Sequence, residues 1–313
     1  MGTPEFAVSS LAILVENNLD VVAVITVPDK PTGRGLQLGA SPVKTYALSK
    51  GIPVLQPEKL KNPVFLDELA SYKADLQIVV AFRMLPELVW NMPRLGTFNL
   101  HASLLPQYRG AAPINWAIIN GETQTGVSTF FLEHEIDTGK IIFQETENIS
   151  PTDNVGQLYE RLMHRGAKLV LKTVFAIQSG TYPQIPQPIV DNPKLAPKIF
   201  KETCQINWQE NSQTIYNFIR GLSPYPSAWT TMNGKILKIY ESHVLSQNPE
   251  LEEVTLGVFS DHKKILCFKT EDGFLAIDSL QLEGKKRMTT EDFLRGYRSP
   301  PTPERGNLKT KGF

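Results

Sequence analysis

Asn99 and His101 stand two residues apart at the end of the apolar run Gly96-Thr97-Phe98-Asn99-Leu100-His101. On a strand, alternate side chains share a face, so Asn99, His101 and Ser103 point the same way. A side-chain amide beside an imidazole can polarise a carbonyl and shuttle a proton. A lone Asn-x-His is more often a core polar cluster satisfied by backbone. What favours chemistry is the continuation: an apolar loop stopped by proline, Ser103-Leu104-Leu105-Pro106, then Tyr108-Arg109-Gly110-Ala111-Ala112-Pro113, which is costly to explain as packing. Downstream, Glu135-Ile136-Asp137-Thr138-Gly139-Lys140 falls in a turn between apolar segments near 126–132 and 140–144. Asp and Gly suit a turn for conformational reasons, so by itself this stretch is structural, and His134 and Glu135 read as solvated strand-end residues.

The elements that must position these side chains follow from patterning. Residues 21–27, 52–55, 76–82 and 96–101 are near-continuous apolar runs separated by helix-like segments. Such runs belong to a parallel sheet covered on both faces, and open sheets of this kind place ligands at the carboxyl ends of their strands. Thr3 with Pro4 predicts a helix start, and Asn154 predicts the cap of a long helix reaching about Ser179, with Leu158, Leu162, Leu169, Val170, Val174 and Ile177 on one face. Residues 182–197 hold five prolines and almost no periodicity, the signature of a stiff, extended connector. Beyond it come a helix over 212–221 and short alternating strands over 228–232, 236–240, 265–270 and 274–282. The Asn233-Gly234 and Asp272-Gly273 turns complete the pattern of a small β-barrel. The expected domains are therefore 1–181, a proline-rich linker over 182–198, and 199–313.

The chain has 313 residues, 41% of them hydrophobic, and a formal net charge of zero. That composition excludes global disorder, and no apolar stretch approaches a membrane span. The expectation is a cytoplasmic protein without a membrane partner. Cys204 and Cys267 form neither a disulfide framework nor a zinc motif, and both read as reduced thiols. A Rossmann dehydrogenase is excluded because no G-x-G-x-x-G follows an early strand. The charge is unevenly spread: residues 285–313 hold 8 basic and 3 acidic groups, and it is the local field that attracts phosphate.

Asn99-x-His101, the loop Ser103 to Pro106 and Asp137-Thr138-Gly139 resemble the folate-dependent formyltransferases that use 10-formyltetrahydrofolate. Three further pieces resemble those members whose acceptor is methionine carried on the initiator tRNA: Met1-Gly2-Thr3-Pro4-Glu5-Phe6-Ala7; Pro28-Asp29-Lys30-Pro31-x-Gly33-Arg34-Gly35 with Ser41-Pro42-Val43-Lys44; and Tyr108 to Ile114. Ile206-Asn207-Trp208, Pro224-Tyr225-Pro226 and Gly284-Lys285-Lys286 extend the resemblance to nearly the whole chain.

The resemblance implies a doubly wound, Rossmann-like, mostly parallel α/β sheet followed by a smaller OB-like β-barrel that faces RNA. It implies formyl transfer from N10 of the folate to the α-amine of methionyl-tRNA, with no metal and in a monomer. Asn99 would donate to the oxyanion, His101 would move the proton, and Asp137 would orient the imidazole or a water. Ser103, Leu104, Leu105 and Pro106 would hold the pterin, bordered by Ala81 and Phe82. Where many relatives read Val-Val-Ala-Tyr-Gly, this chain reads Val79-Val80-Ala81-Phe82-Arg83-Met84, which changes the pocket's shape. Arg34 and Lys30, in the loop 28–41, and Lys198, Lys201, Lys285 and Lys286 would contact tRNA. Other readings share these catalytic residues: transfer to a small amine such as a glycinamide ribonucleotide or an amino-sugar, or a catalytically idle RNA-binding paralogue. The Arg34 loop and the C-terminal barrel favour tRNA, and the intact trio favours an enzyme. Relatives also place an apolar strand ahead of Gly2-Thr3-Pro4, so the natural chain is expected to begin upstream of Met1.

Overall fold

In the computed structural model, which describes residues 1–32, 37–245, 257–261 and 263–297, the apolar runs of the first half become short strands. In chain order the elements are α1 (Glu5–Glu16), β1 (Val24–Ile25), β2 (Lys30–Thr32), β3 (Gln37–Gly39), α2 (Pro42–Ser49), β4 (Val54–Leu55), α3 (Pro63–Ser71), β5 (Gln77–Val80), α4 (Glu87–Trp90) and β6 (Thr97–His101). They continue as β7 (Arg109–Gly110), α5 (Pro113–Ile119), β8 (Gln124–Phe131), β9 (Ile141–Asn148), α6 (Val155–Ser179) and β10 (Leu195–Ala196). One compact unit comprises residues 1–113, 124–148 and 158–197; the second comprises 114–123, 149–157 and the chain from Lys198.

In the first unit β5, β6, β8 and β9 pair in that order, with β5–β6 parallel and the next two pairings antiparallel, while β1 and β4 form a separate parallel pair. Met1 and Gly2 join the two groups. The Gly2 N–H donates to Ile25 O at 3.1 Å, Val80 N–H donates to Met1 O at 2.9 Å, and Gly2 bridges Val80 in parallel. Beside them a cavity of about 620 Å³ opens among Leu11, Leu14, Val24, Tyr72, Leu95 and Ile177, and none of the candidate catalytic side chains lines it. The segment 28–41, read from the sequence as a loop, includes the antiparallel pair β2–β3; Arg34 lies outside the described residues.

Asn154 caps α6 as its sequence predicts. Its Oδ1 accepts the Gln157 N–H at 3.0 Å, and Gln157 Oε1 accepts the Asn154 N–H at 2.9 Å, a reciprocal arrangement that satisfies two otherwise orphan donors. Helix α1 differs: it begins at Glu5, its cap position is Pro4, and no side chain of the cap bonds to it. A distant group takes that role, because the Phe6 N–H donates to the Tyr159 hydroxyl at 2.8 Å.

In the second unit the elements are α7 (Ser212–Leu222), β11 (Ala228–Met232), β12 (Lys235–Val244), β13 (Val258–Ser260), β14 (Leu266–Lys269), β15 (Phe274–Leu282), β16 (Met288–Thr289) and α8 (Thr290–Gly296). The antiparallel sheet runs β11-β12-β15-β14-β13, with β16 on β15. Asn233 and Gly234 join β11 to β12 with φ of 48° and 73°, the left-handed pair that a two-residue hairpin needs. Leu237, Ile239, Leu275, Ile277 and Leu280 of the sheet share one core with Ile215, Ile219 and Leu222 of α7 and with Phe293 and Leu294 of α8. A Rossmann-like domain thus precedes a curled antiparallel half-barrel of OB-like type. Cys204 and Cys267 are free and buried. Burial pushes the Cys267 thiol up to about 11 and raises that of Cys204. No helix among the described residues is long and apolar enough to cross a membrane.

Candidate active site

The register of β6 decides where the chemistry sits. Val79 of β5 lies opposite Asn99, and Ser128 of β8 lies opposite His101, so both candidate side chains leave one face of β6 at its carboxyl end. Phe98 and Leu100 leave the other face and are buried. Three non-glycine residues around this end adopt left-handed backbone: Ala81 at φ 47°, Tyr108 at 60° and Asp137 at 57°. Such conformations persist only where surrounding structure over-determines them, and they concentrate at functional sites.

His101 is 6% exposed. Its Nε2 lies 2.8 Å from the carbonyl oxygen of Tyr108. A carbonyl only accepts, so Nε2 carries a hydrogen, and the neutral ring presents a bare Nδ1. Nδ1 is 3.9 Å from Oδ2 of Asp137, too far for a direct hydrogen bond and within ion-pair reach of a protonated ring. The same Oδ2 accepts the Gly110 N–H at 3.0 Å, so the carboxylate is fixed from the β7 side. Asn99 completes the face: its Oδ1 is buried and has no hydrogen-bond partner. An unsatisfied buried polar atom is costly, and one on the same strand face as an imidazole with a bare ring nitrogen is a place for a ligand group. Asn99 and His101, singled out by their spacing, share this face, and Asp137, which only the family resemblance had singled out, stands beside His101.

The turn that carries Asp137 is shaped by Gly139. A Cβ there would stand 1.7 Å from the carbonyl oxygen of Phe131, so only glycine allows the chain to return against β8. Beside this turn a cleft of about 520 Å³ is lined by Trp90, Leu132, Glu133, His134, Glu135 and Thr138. His134 is exposed at its mouth, with its ring edge-on to Trp90 at a centroid distance of 5.5 Å and its Nε2 3.7 Å from Glu87.

The loop from Ser103 to Pro106 lies against the same end of the sheet, held by residues the sequence did not flag. Ser103 is fully buried and donates to Gln107 O at 2.6 Å. Ser128 Oγ donates to Ser103 O at 2.6 Å and accepts the Leu105 N–H at 3.2 Å, and Gln144 Nε2 donates to Leu105 O at 3.0 Å. Leu105 packs with Phe130 and Ile141, while Leu104 lies over Gly126. The backbone groups of Leu105 are thus spent within the protein, and the loop presents a rigid shape. Ala81 is exposed where β5 ends. Phe82 packs on the cluster containing Ile25, Leu55 and Val79, with the Arg83 guanidinium 5.6 Å from its ring centre. Arg83 itself is fixed by the carbonyls of Pro57 and Glu58.

The basic candidates are divided between the two units. Lys30 is exposed on β2; Lys198, Lys201, Lys285 and Lys286 are exposed in the second unit. Lys198 Nζ lies 5.3 Å from the Phe200 ring centre, and the Lys201 carbonyl accepts Nε1–H of Trp229 at 2.8 Å. Among the described residues no three His, Cys, Asp or Glu side chains gather as a metal-binding group. Sequence reasoning missed Ser128, Gln144 and Gln187. Gln187 contacts Asp137 and Gly139 across about fifty residues of chain, a separation that periodicity does not encode.

Two family models match the chain: formyl transferase over residues 1–174 and formyl transferase, C-terminal domain, over 198–298. The methionyl-tRNA formyltransferase of Parabacteroides distasonis is 58% identical over 309 residues, covering 95% of this chain and 94% of the relative. That of Bacteroides thetaiotaomicron is 56% identical over 306 residues with the same coverage. Among solved structures, an N-formyltransferase from Helicobacter canadensis in complex with folinic acid and dTDP-3-aminofucose superposes with a TM-score of 0.63. It is 21% identical and covers 92% of this chain and 97% of its own.

Proposed function

The chain belongs to the formyl transferase family, and from that premise we infer that it transfers the formyl group of 10-formyltetrahydrofolate to the α-amine of methionyl initiator tRNA. Identity above one half across almost the full length of relatives named methionyl-tRNA formyltransferase supports this acceptor. The observation that supports the site assignment is the presence on one strand face of a bare imidazole nitrogen, Nδ1 of His101, and of Asn99, a half-buried residue whose buried Oδ1 has no protein partner.

When bound, the folate supplies a formyl carbonyl attached to N10, and the chain's own residues do the rest. A neutral amine attacking that carbonyl builds negative charge on oxygen and positive charge on nitrogen. Asn99 offers its side-chain N–H to the oxygen, a contribution of order 3 kcal/mol for a well-aimed donor. Nδ1 of His101 takes the proton from the amine and returns it toward the departing nitrogen, general acid-base help worth about 10² to 10⁴ in rate. The Asp137 carboxylate, 3.9 Å away, stabilises the imidazolium that this creates. The loop Ser103 to Pro106, with Leu104 and Leu105, holds the pterin by shape, and Ala81 and Phe82 border it. No nucleophilic side chain is needed, because the amine attacks directly.

Arg34, Lys30, Lys198, Lys201, Lys285 and Lys286 are the proposed tRNA contacts. Cations of this kind neutralise phosphate without reading sequence. The test is acceptor choice: the protein is given 10-formyltetrahydrofolate with methionyl initiator tRNA, with glycinamide ribonucleotide, or with an amino-sugar nucleotide. Formylation of the tRNA alone is the expected outcome; formylation of a small amine in its place would refute the acceptor.

A further inference from the structure

The proline-rich segment after α6 does more than connect. Ile185 and Ile141 exchange two backbone hydrogen bonds at 2.8 and 2.9 Å, and Lys194 O accepts the Tyr108 N–H at 2.6 Å. β10 runs parallel to β7 with Ala196 opposite Gly110, and a Cβ on Gly110 would stand 2.5 Å from the Ala196 carbonyl oxygen. The segment is therefore a strap laid along the residues that flank His101 and Asp137.

Midway along it, Gln187 is half-buried between Pro186 and Pro188, which are exposed. Its Nε2 donates to Asp137 O at 2.8 Å and to Gly139 O at 2.9 Å. Its Oε1 accepts from Arg109 Nε at 3.2 Å and Nη2 at 2.6 Å. A carboxamide offers two N–H donors and two lone pairs, and here all four are used.

We propose that Gln187 is a positioning residue for formyl transfer, holding the Asp137 turn so that its carboxylate faces Nδ1 of His101. The turn needs such a holder, since Asp137 is in left-handed backbone and, among the described residues, its carboxylate accepts a hydrogen bond from the Gly110 N–H alone. Gly139 fixes the turn against β8, and Gln187 fixes it from the other side through two carbonyls. Prolines on either side of Gln187 restrict the strap before it docks, so little freedom is lost on clamping. Arg109 orients the Gln187 carboxamide by occupying its oxygen, which aims the NH₂ group at the turn.

This inference rests on the formyl-transfer reading, and its test separates the two. Gln187→Ala and Gln187→Glu are made in the wild-type chain and in Asp137→Asn, and kcat and KM are measured with 10-formyltetrahydrofolate and methionyl initiator tRNA. Gln187→Ala is expected to lower kcat by about tenfold or more, with each KM within about threefold of wild type. Gln187→Glu keeps the pairing with Arg109 but turns oxygen toward two carbonyls, so it is expected to lose at least as much. In the Asp137→Asn background the Gln187→Ala loss is expected to shrink to about twofold or less, because the carboxylate being positioned is already gone. Wild-type kcat in Gln187→Glu, or losses that multiply in the double variant, would overturn the inference. A wild-type chain that formylates no tRNA would instead refute the functional reading.

Discussion

Nε2 of His101 lies 2.8 Å from the carbonyl oxygen of Tyr108, and this contact determines which ring nitrogen is free to work. Tyr108 is itself in left-handed backbone, and its carbonyl meets His101 at the end of β6. The neutral imidazole is predicted to be the Nε2–H tautomer. Nitrogen-15 shifts of a protein labelled at histidine, with His101 assigned by comparison with His101→Ala, check this. A neutral His101 protonated at Nδ1 would contradict the proton path drawn here.

Asn99 is predicted to serve the oxyanion rather than the fold. Asn99→Ala removes an amide whose Oδ1 has no protein partner, so it is expected to leave the unfolding midpoint nearly unchanged. The loss should fall on turnover, at about 10² to 10³ in kcat. Paired measurement of unfolding and kcat decides it; loss of stability with kcat retained would make Asn99 a structural residue.

What the sequence made legible were elements whose signals are local. Asn154 capped its helix because a cap needs only the next turn, and Asn233-Gly234 made its hairpin because two left-handed residues suffice. His101 and Asn99 were visible because a strand places alternate residues on one face. The start of α1 was misread because Tyr159, from a helix far along the chain, satisfies the Phe6 N–H in place of Thr3. Gln187 was invisible for the same reason: among five prolines it looks like linker, and its partners Arg109 and Asp137 lie 78 and 50 residues back along the chain.

Gly139 carries a stability prediction. Since a Cβ would approach the Phe131 carbonyl to 1.7 Å, Gly139→Ala must displace the turn or the strand end. A cost of about 1 to 3 kcal/mol is expected, as for other overpacked sites. Guanidinium unfolding measures it, and a variant within about 0.5 kcal/mol of wild type would show that the turn is pliable.

Asp29 carries a pH prediction. Its carboxylate receives Lys44 Nζ at 2.5 Å and Gln56 Nε2 at 2.8 Å, and these bonds, that of Lys44 first, hold its pKa below the ordinary 3.8. A folded-state value below the unfolded one means that the stabilisation is present above pH 3.8 and is lost as the pH falls through the lower folded value. Asp29→Asn is therefore expected to melt below wild type at pH 7, with the gap closing under acid conditions. Thermal melts from pH 7 to pH 3 test this; a gap that widened in acid would have the wrong sign.

The central claim is that Asn99, His101 and Asp137 transfer a formyl group to methionine on tRNA. The most direct measurement follows an isotopic label in the formyl group of 10-formyltetrahydrofolate, with methionyl initiator tRNA as acceptor, for the wild-type chain and for His101→Ala. The label should reach the methionine α-amine with wild type and arrive at least about 100-fold more slowly with the variant, whose unfolding transition stays cooperative. Label reaching the tRNA at equal rates with both proteins would contradict the account.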